Sequence, residues 1–137
     1  MANFIIADRT IAVLQKSLDL RAQKQQVIAS NIANAETPGY AVRKLNFEDN
    51  LRKAISHPEM AGKKTNPKHF PLGSGGISAV QGNITKHPSQ NPFGDGNSVS
   101  IDDEMLDLAE NQLLYEAGSQ ILKKKFSMLK FAASDGR

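Results

Sequence analysis

The run Ser30-Asn31-Ile32-Ala33-Asn34-Ala35-Glu36-Thr37-Pro38-Gly39-Tyr40 decides how the chain is organised. A helical pattern rich in small and amide residues stops here. The residue before proline is pushed out of the helical region, and glycine opens a turn. Asn31 and Asn34 lie three apart, so their amides share a helix face and are placed to bond backbone groups near the helix end. Ala29 and Ala33 permit close approach of another helix, and Gly39 allows a backbone angle that other residues resist.

Upstream of this stop, Ile11, Leu14, Leu18, Ile28, Ile32 and Ala35 fall at separations of three, four or multiples of seven. That spacing predicts one long helix from about Asp8 to Glu36 with a coiled-coil character. Its seam is interrupted by Arg21 and Gln25, while Leu20 and Val27 form an adjoining stripe. Downstream, Asn46 reads as the N-cap of a shorter helix to about Ser56, with Glu48 and Asp49 in its first turn and Phe47, Leu51 and Ile55 on one face.

From His57 to Ser100 the character changes. Seven of the ten glycines and five of the six prolines lie there, and Gly76-Ile77-Ser78-Ala79-Val80 is at best one weak strand. So long an irregular stretch inside a small chain reads as a functional insert or as a segment disordered when free. A second long helix then starts at Ser100 or Asp102 and runs to about Ala133. Ser100 with Asp103 makes a capping-box-like start, and Asp102, Asp103 and Glu104 suit the positive end of the helix dipole. Two apolar stripes run along it: Leu106, Leu113, Ala117, Ile121 and Met128 on one, and Leu108, Tyr115, Leu122, Phe126 and Leu129 on the other. Two stripes are more than one partner helix covers. A length of ~48 Å also exceeds what a small globular domain needs.

The expected fold is therefore mainly α. Long N- and C-terminal helices pair as a coiled-coil-like bundle around an irregular Gly/Pro-rich insert with little β structure. Three segments follow: an N-terminal helical segment over residues 1–37, a short helix and variable insert over 38–101, and the C-terminal helix over 102–137.

Composition narrows the chemistry. The 137 residues hold no cysteine and no tryptophan, which excludes disulfides, thiolate metal sites and cysteine nucleophiles. Seventeen basic and fourteen acidic residues leave a net charge of +3, and the two signs are interspersed along the chain, the usual look of a solvated face. No apolar run approaches the ~18 residues of a membrane span. The start of the chain lacks the basic region and apolar length of a secretory leader, so ordinary secretion rules keep the protein in the cytoplasm unless another export route exists.

No constellation reads as an active site. His57, His69 and His87 sit in the insert, two of them directly before proline, without the spacing of a helical metal site. Gly94-Asp95-Gly96-Asn97-Ser98 lacks the repeated acids and closing glutamate of a calcium loop and reads as a turn. Gly73-Ser74-Gly75-Gly76 has neither the lysine nor the helix of a phosphate-binding loop. No catalytic, cofactor or metal residue is assigned. A basic helical module for nucleic acid or a membrane surface is the alternative reading. It requires a basic face that the scattered lysines do not make.

The Ser30–Tyr40 run resembles the N-terminal signature of the flagellar rod, hook and hook-filament axial family, carried by Ser30, Asn31, Ile32, Ala33, Asn34, Thr37, Gly39 and Tyr40. Asp95-Gly96-Asn97-Ser98-Val99, Glu104-Met105, Leu108-Ala109-Glu110-Asn111-Gln112-Leu113, Tyr115, Lys125-Phe126-Ser127 and Leu129-Lys130 are similar to the C-terminal half of its short proximal-rod members. The resemblance implies a structural, non-enzymatic subunit without cofactors, exported unfolded by the flagellar type III apparatus. It also implies assembly with itself and other rod proteins above the membrane-ring adaptor and export gate, where paired terminal helices build a tube that transmits torque. On this view Leu106, Leu108, Leu113, Tyr115, Ile121, Leu122, Phe126 and Leu129 pack the C-terminal helix in the assembly. Phe47-x-x-x-Leu51 also fits an aromatic-x-x-x-apolar pattern for docking at the export gate. Simple packing of a short helix is at least as good an account of that pair.

Overall fold

The computed structural model describes residues 2–56, 76–89 and 94–134. Helix α1 spans Ala2–Ala33, strand β1 Val42–Asn46, helix α2 Glu48–Ser56, strand β2 Asn83–His87 and helix α3 Ile101–Ala133. The protein is mainly helical, as the periodicity predicts, and the two long helices pack on each other. Asn31 meets Glu104, Arg21 meets Asn111 and Leu18 meets Gly118, so α1 and α3 run antiparallel.

α1 starts at Ala2, before Asp8, because nothing between Asn3 and Ala7 breaks a helix. It ends at Ala33, short of Glu36. The Asn34 N–H is shared between the carbonyls of Ser30 and Asn31, and the Ala35 N–H donates to Ile32. These tightened bonds turn the chain before Pro38 is reached. At the other end of the pair, the Ser100 side chain accepts from the Asp103 N–H and opens α3 where the capping pattern places it.

β1 and β2 form a two-stranded antiparallel sheet with Val42 opposite His87, Lys44 opposite Thr85 and Asn46 opposite Asn83. This differs from the sequence reading in three places. Asn46 closes β1 and does not cap α2. Phe47 takes that position, with its carbonyl accepting from Leu51 N–H and its own N–H donating to the Glu48 carboxylate. Gly76–Val80 is not a strand: Gly76 sits at φ 49° and leads into a single 3-10 turn, Ile77–Ala79. The strand lies further on, in the polar run Asn83-Ile84-Thr85-Lys86-His87, whose residues are mostly exposed. An alternation with only one β-branched apolar residue carries little strand signal. His87 thus lies at the end of a strand, where its Nε2 is 3.0 Å from the Thr85 hydroxyl. His57 and His69 fall outside the described residues.

The core gathers where α1, β1, α2 and the 3-10 turn meet. Leu20, Leu45, Phe47, Leu51 and Val80 form it, with Val27, Ala54 and Ile77 packed around them. The stripe of α1 that enters the core is therefore Leu20 and Val27, while Ile11, Leu14 and Leu18 stay half-buried. Ile55, expected on the packed face of α2, is exposed; Ala54 packs instead, and the Ile55 carbonyl accepts from the Arg9 guanidinium. Gly82 is required by this core, since a Cβ there would lie 2.8 Å from Leu45 Cδ1.

Candidate functional site

The signature turn and the segment before α3 form one structure. Gly39 holds φ 70°, and its N–H donates to the Asp95 carbonyl at 2.7 Å. The Asn97 side-chain amide donates to the carbonyls of Asn34, Ala35 and Thr37 at 3.0, 2.8 and 2.8 Å. These carbonyls follow the last turn of α1, and those of Asn34 and Thr37 also accept from the backbone N–H groups of Thr37 and Tyr40. Asn97 is itself held in an Asx-type turn, its N–H donating to Asp95 and its Oδ1 accepting from Val99 N–H. Ser98 completes the clasp: its N–H reaches the Tyr40 carbonyl, its hydroxyl donates to His87 O, and it accepts from Val42 N–H. The Gly94–Ser98 turn is thus a latch across the signature.

Asn31 is fully buried and makes every hydrogen bond an amide can make. Its Nδ2 donates to Arg43 O at 2.7 Å and to a Glu104 carboxylate oxygen at 2.9 Å. Its Oδ1 accepts from Arg43 N–H at 3.1 Å and from the Tyr40 hydroxyl at 3.3 Å. The amide thereby acts as a short extra strand along the edge of β1. Asn34 turns back on its own helix, donating to Ser30 O and accepting from Thr37. Only Asn34 serves the helix end; Asn31 ties together β1 and α3. Ser30 lies 3.3 Å from the Tyr40 hydroxyl. Ile32 is half-buried, and Ala33, Thr37 and Gly39 are exposed.

The seam between α1 and α3 is unusually polar. Glu104 and Asn111 are the buried residues of α3, and with Gly118 they recur every seven residues. Asn111 donates to the Arg21 carbonyl at 3.0 Å and accepts from the Arg21 guanidinium at 3.4 Å. A Cβ at Gly118 would lie 3.2 Å from Leu18 Cδ2, so glycine sets a close approach there. Arg21 also lies 5.5 Å from the centre of the Phe47 ring. Lys44 binds Asp107 at 2.9 Å; that hydrogen bond, opposed by burial and aided by the charges of Asp107, Glu104 and Asp103, raises the lysine pKa. Sequence reading passed over Glu104 and Asn111 as seam residues because it followed apolar stripes. The polar heptad Glu104-Asn111-Gly118 was the available signal.

The two apolar stripes of α3 fare differently from the seam. Leu106, Leu113, Ile121 and Met128 are more than half exposed. Leu108 and Leu122 are half-buried, while Tyr115, Phe126 and Leu129 are exposed. Leu18, Tyr115, Leu122 and Phe126 line a shallow groove between the helices. Phe47 and Leu51 are core residues, 1% and 8% exposed. Among the described residues no group of acids and histidines is placed to hold a metal, and no helix is long and apolar enough to cross a membrane.

A latched corner, a polar seam and a long helix with its apolar stripes outward define a structural assembly subunit of the axial type. Comparison with known proteins agrees. The profile of the family described as "Flagella basal body rod protein" matches residues 11–40. The flagellar basal body rod protein FlgB of Salmonella typhimurium is 37% identical over 84% of this chain and 86% of its own length. Its Bacillus subtilis counterpart is 35% identical over 93% and 95%, and that of Aeromonas hydrophila 33% identical over 89% and 90%. The chain belongs to the FlgB family of flagellar basal body rod proteins. Its role is structural and its place is the flagellar basal body.

Proposed function

We propose that this chain is a non-enzymatic subunit of the proximal rod. It polymerises with copies of itself and with other rod proteins, joins the membrane-ring adaptor and export gate to the distal rod, and transmits torque, so that motility requires it. It reaches the rod unfolded through the flagellar type III apparatus, and it takes no cofactor, small-molecule substrate or nucleic acid. The observation that carries this reading is the outward face of α3, where Leu106, Leu113, Ile121 and Met128 stand in solvent. An exposed apolar stripe of this length marks a protein interface.

In this reading residues 1–37 and 102–137 supply the packed helices and residues 38–101 the variable part. Ser30–Tyr40 shapes the corner that sets the two helices side by side. Phe47 and Leu51 are core residues of the folded chain; any docking at the export gate belongs to the unfolded chain in transit. Chromosomal Leu113→Asp or Leu122→Asp tests the proposal: each places a charge where a neighbour buries apolar surface. Rods and swimming are lost while the subunit is still exported. Normal motility in both strains overturns it.

A further inference from the structure

On the outward side of α3, Leu106, Glu110, Leu113, Ala117, Ile121, Lys124 and Met128 follow one another at helical steps of three and four, which hold them on one face. The series is symmetric about Ala117. Leu106 mirrors Met128, Leu113 mirrors Ile121, and Glu110 mirrors Lys124. The four large apolar members are 69%, 54%, 68% and 52% exposed in that order. Charge follows the same symmetry: residues 101–117 hold six acids and no base, and residues 118–134 hold four lysines and no acid. The helix dipole accounts only for charges in the first and last turns, and Glu110 and Lys124 lie well inside. Among the described residues neither of them has an ion-pair partner.

We propose that this face binds α3 of a second copy of the chain, antiparallel, about a two-fold axis at Ala117. The pairing sets Leu106 on the partner's Met128, Leu113 on the partner's Ile121, and Glu110 beside the partner's Lys124, each contact made twice. The small side chain of Ala117 lets the helices close at the axis. A parallel copy staggered by half a helix would match only one half of the series, with Leu106 on the partner's Ile121. The antiparallel arrangement uses all of it and sets the acidic half of each helix against the basic half of the other. Such an isologous contact closes at two copies, whereas a growing rod needs heterologous contacts. The dimer therefore covers the face until a rod neighbour displaces the second copy. This rests on the reading of α3 as an assembly face.

The chain has no cysteine, so single-cysteine variants report the geometry directly. At the axis the two Ala117→Cys thiols meet, whereas the two Leu106→Cys thiols of an antiparallel pair stand roughly 33 Å apart. The protein at about 100 µM sediments as a dimer, and under mild oxidation Ala117→Cys links at least about tenfold faster than Leu106→Cys. Glu110→Lys weakens the dimer roughly fivefold by placing like charges together, and adding Lys124→Glu restores it. A monomer at that concentration, equal linking of the two cysteine variants, or a ladder of linked oligomers from Leu113→Cys/Met128→Cys each overturns the proposal. A monomeric protein whose Leu113→Asp strain still lacks rods sinks the dimer alone; a dimeric protein whose Leu113→Asp strain swims normally sinks the rod reading alone.

Discussion

The latched corner and the two-helix arm solve opposite problems. At the corner, Phe47, Leu20 and Leu45 are buried, Asn31 spends its whole hydrogen-bonding capacity inside the chain, and Asn97 ties down the carbonyls of the turn that follows α1. Along the arm, α3 touches α1 through a polar seam and turns Leu106, Leu113, Ile121 and Met128 outward. Among the described residues, no buried side-chain polar atom lacks a partner, so the corner is complete within one chain. On the proposed reading of α3 as an assembly face, the arm is complete only when a neighbour covers it. On that reading the subunit carries its own folding information at one end and its assembly surface along the other, and substitutions in the two regions should fail in different ways.

The strongest separation comes from Phe47→Ala against Leu113→Asp. Removing the Phe47 ring leaves a cavity in the only apolar cluster among the described residues and costs ~3–5 kcal/mol. Leu113→Asp changes an exposed position and alters the stability of the isolated chain by less than about 0.5 kcal/mol. Urea denaturation measures both. Equal losses in the two variants would break the division between corner and arm.

Asn31→Leu sharpens the same division. It keeps the size of the side chain but strips partners from the Arg43 N–H, the Arg43 carbonyl and the Glu104 carboxylate, all at the buried edge of β1. Each unsatisfied group costs ~1–3 kcal/mol, with partial relief from water, so a net loss of ~2–4 kcal/mol is expected. Amide exchange at Arg43 should quicken in step with the loss. A variant as stable as the parent would show that the amide is not what ties β1 to α3.

How much of this was legible depended on the kind of signal. α3 was readable because the Ser100 cap, the acids after it and a long run of mostly good helix formers all agree. That α1 stops before Pro38 and Gly39 was readable because proline and glycine act locally, but its end at Ala33 was not, since the tightened bonds of Asn34 and Ala35 set it. β1 and β2 were not, since Val42–Asn46 and Asn83–His87 are short, mostly polar and separated by the insert, and their pairing is non-local. The clasp was half legible: both of its parts carried family resemblance, but nothing in either one states that Asn97 reaches Asn34. The seam was hidden for a physical reason. The apolar series Leu106, Leu113, Ile121 and Met128 lies on the exposed face of α3, while the contact with α1 is carried by Glu104, Asn111 and Gly118.

Asn97 allows a test that distinguishes chemistry from shape. Asn97→Ala removes a donor from three carbonyls that water can in part satisfy, and costs ~1 kcal/mol. Asn97→Asp keeps the shape but turns a carboxylate toward the same carbonyls, so it costs more, ~2 kcal/mol. Thermal melts at neutral pH order the two variants. Lowering the pH toward the ordinary aspartate range protonates the new carboxyl and narrows the gap. If Asn97→Asp is the milder change, the amide is not the latch.

The smallest effects concern the ion pairs at the rim of the corner. Burial alone would raise the pKa of Glu48, but hydrogen bonds from its own and the Phe47 backbone N–H, together with Lys24, outweigh it and lower the pKa. Its contribution is therefore present above the ordinary value of 4.5 and is lost as pH falls through the lower folded value. Lys44 runs the other way. With its pKa raised, chiefly by the bond to Asp107, its contribution is complete below the ordinary 10.5 and disappears as pH rises through the folded value. Both groups are about 43% exposed, so solvent and salt screen them and each effect stays small. Glu48→Gln should flatten the acid limb of the stability profile and Lys44→Met the alkaline limb, each lowering the plateau between them by a small, pH-independent amount. Lys44 lies within β1 and Glu48 just past its end, and they reach toward different helices, Glu48 to Lys24 on α1 and Lys44 to Asp107 on α3. If Glu48→Gln altered the alkaline limb, or Lys44→Met the acid one, the two ion pairs would have to be coupled through β1, and the corner would be one electrostatic unit instead of two separate ties.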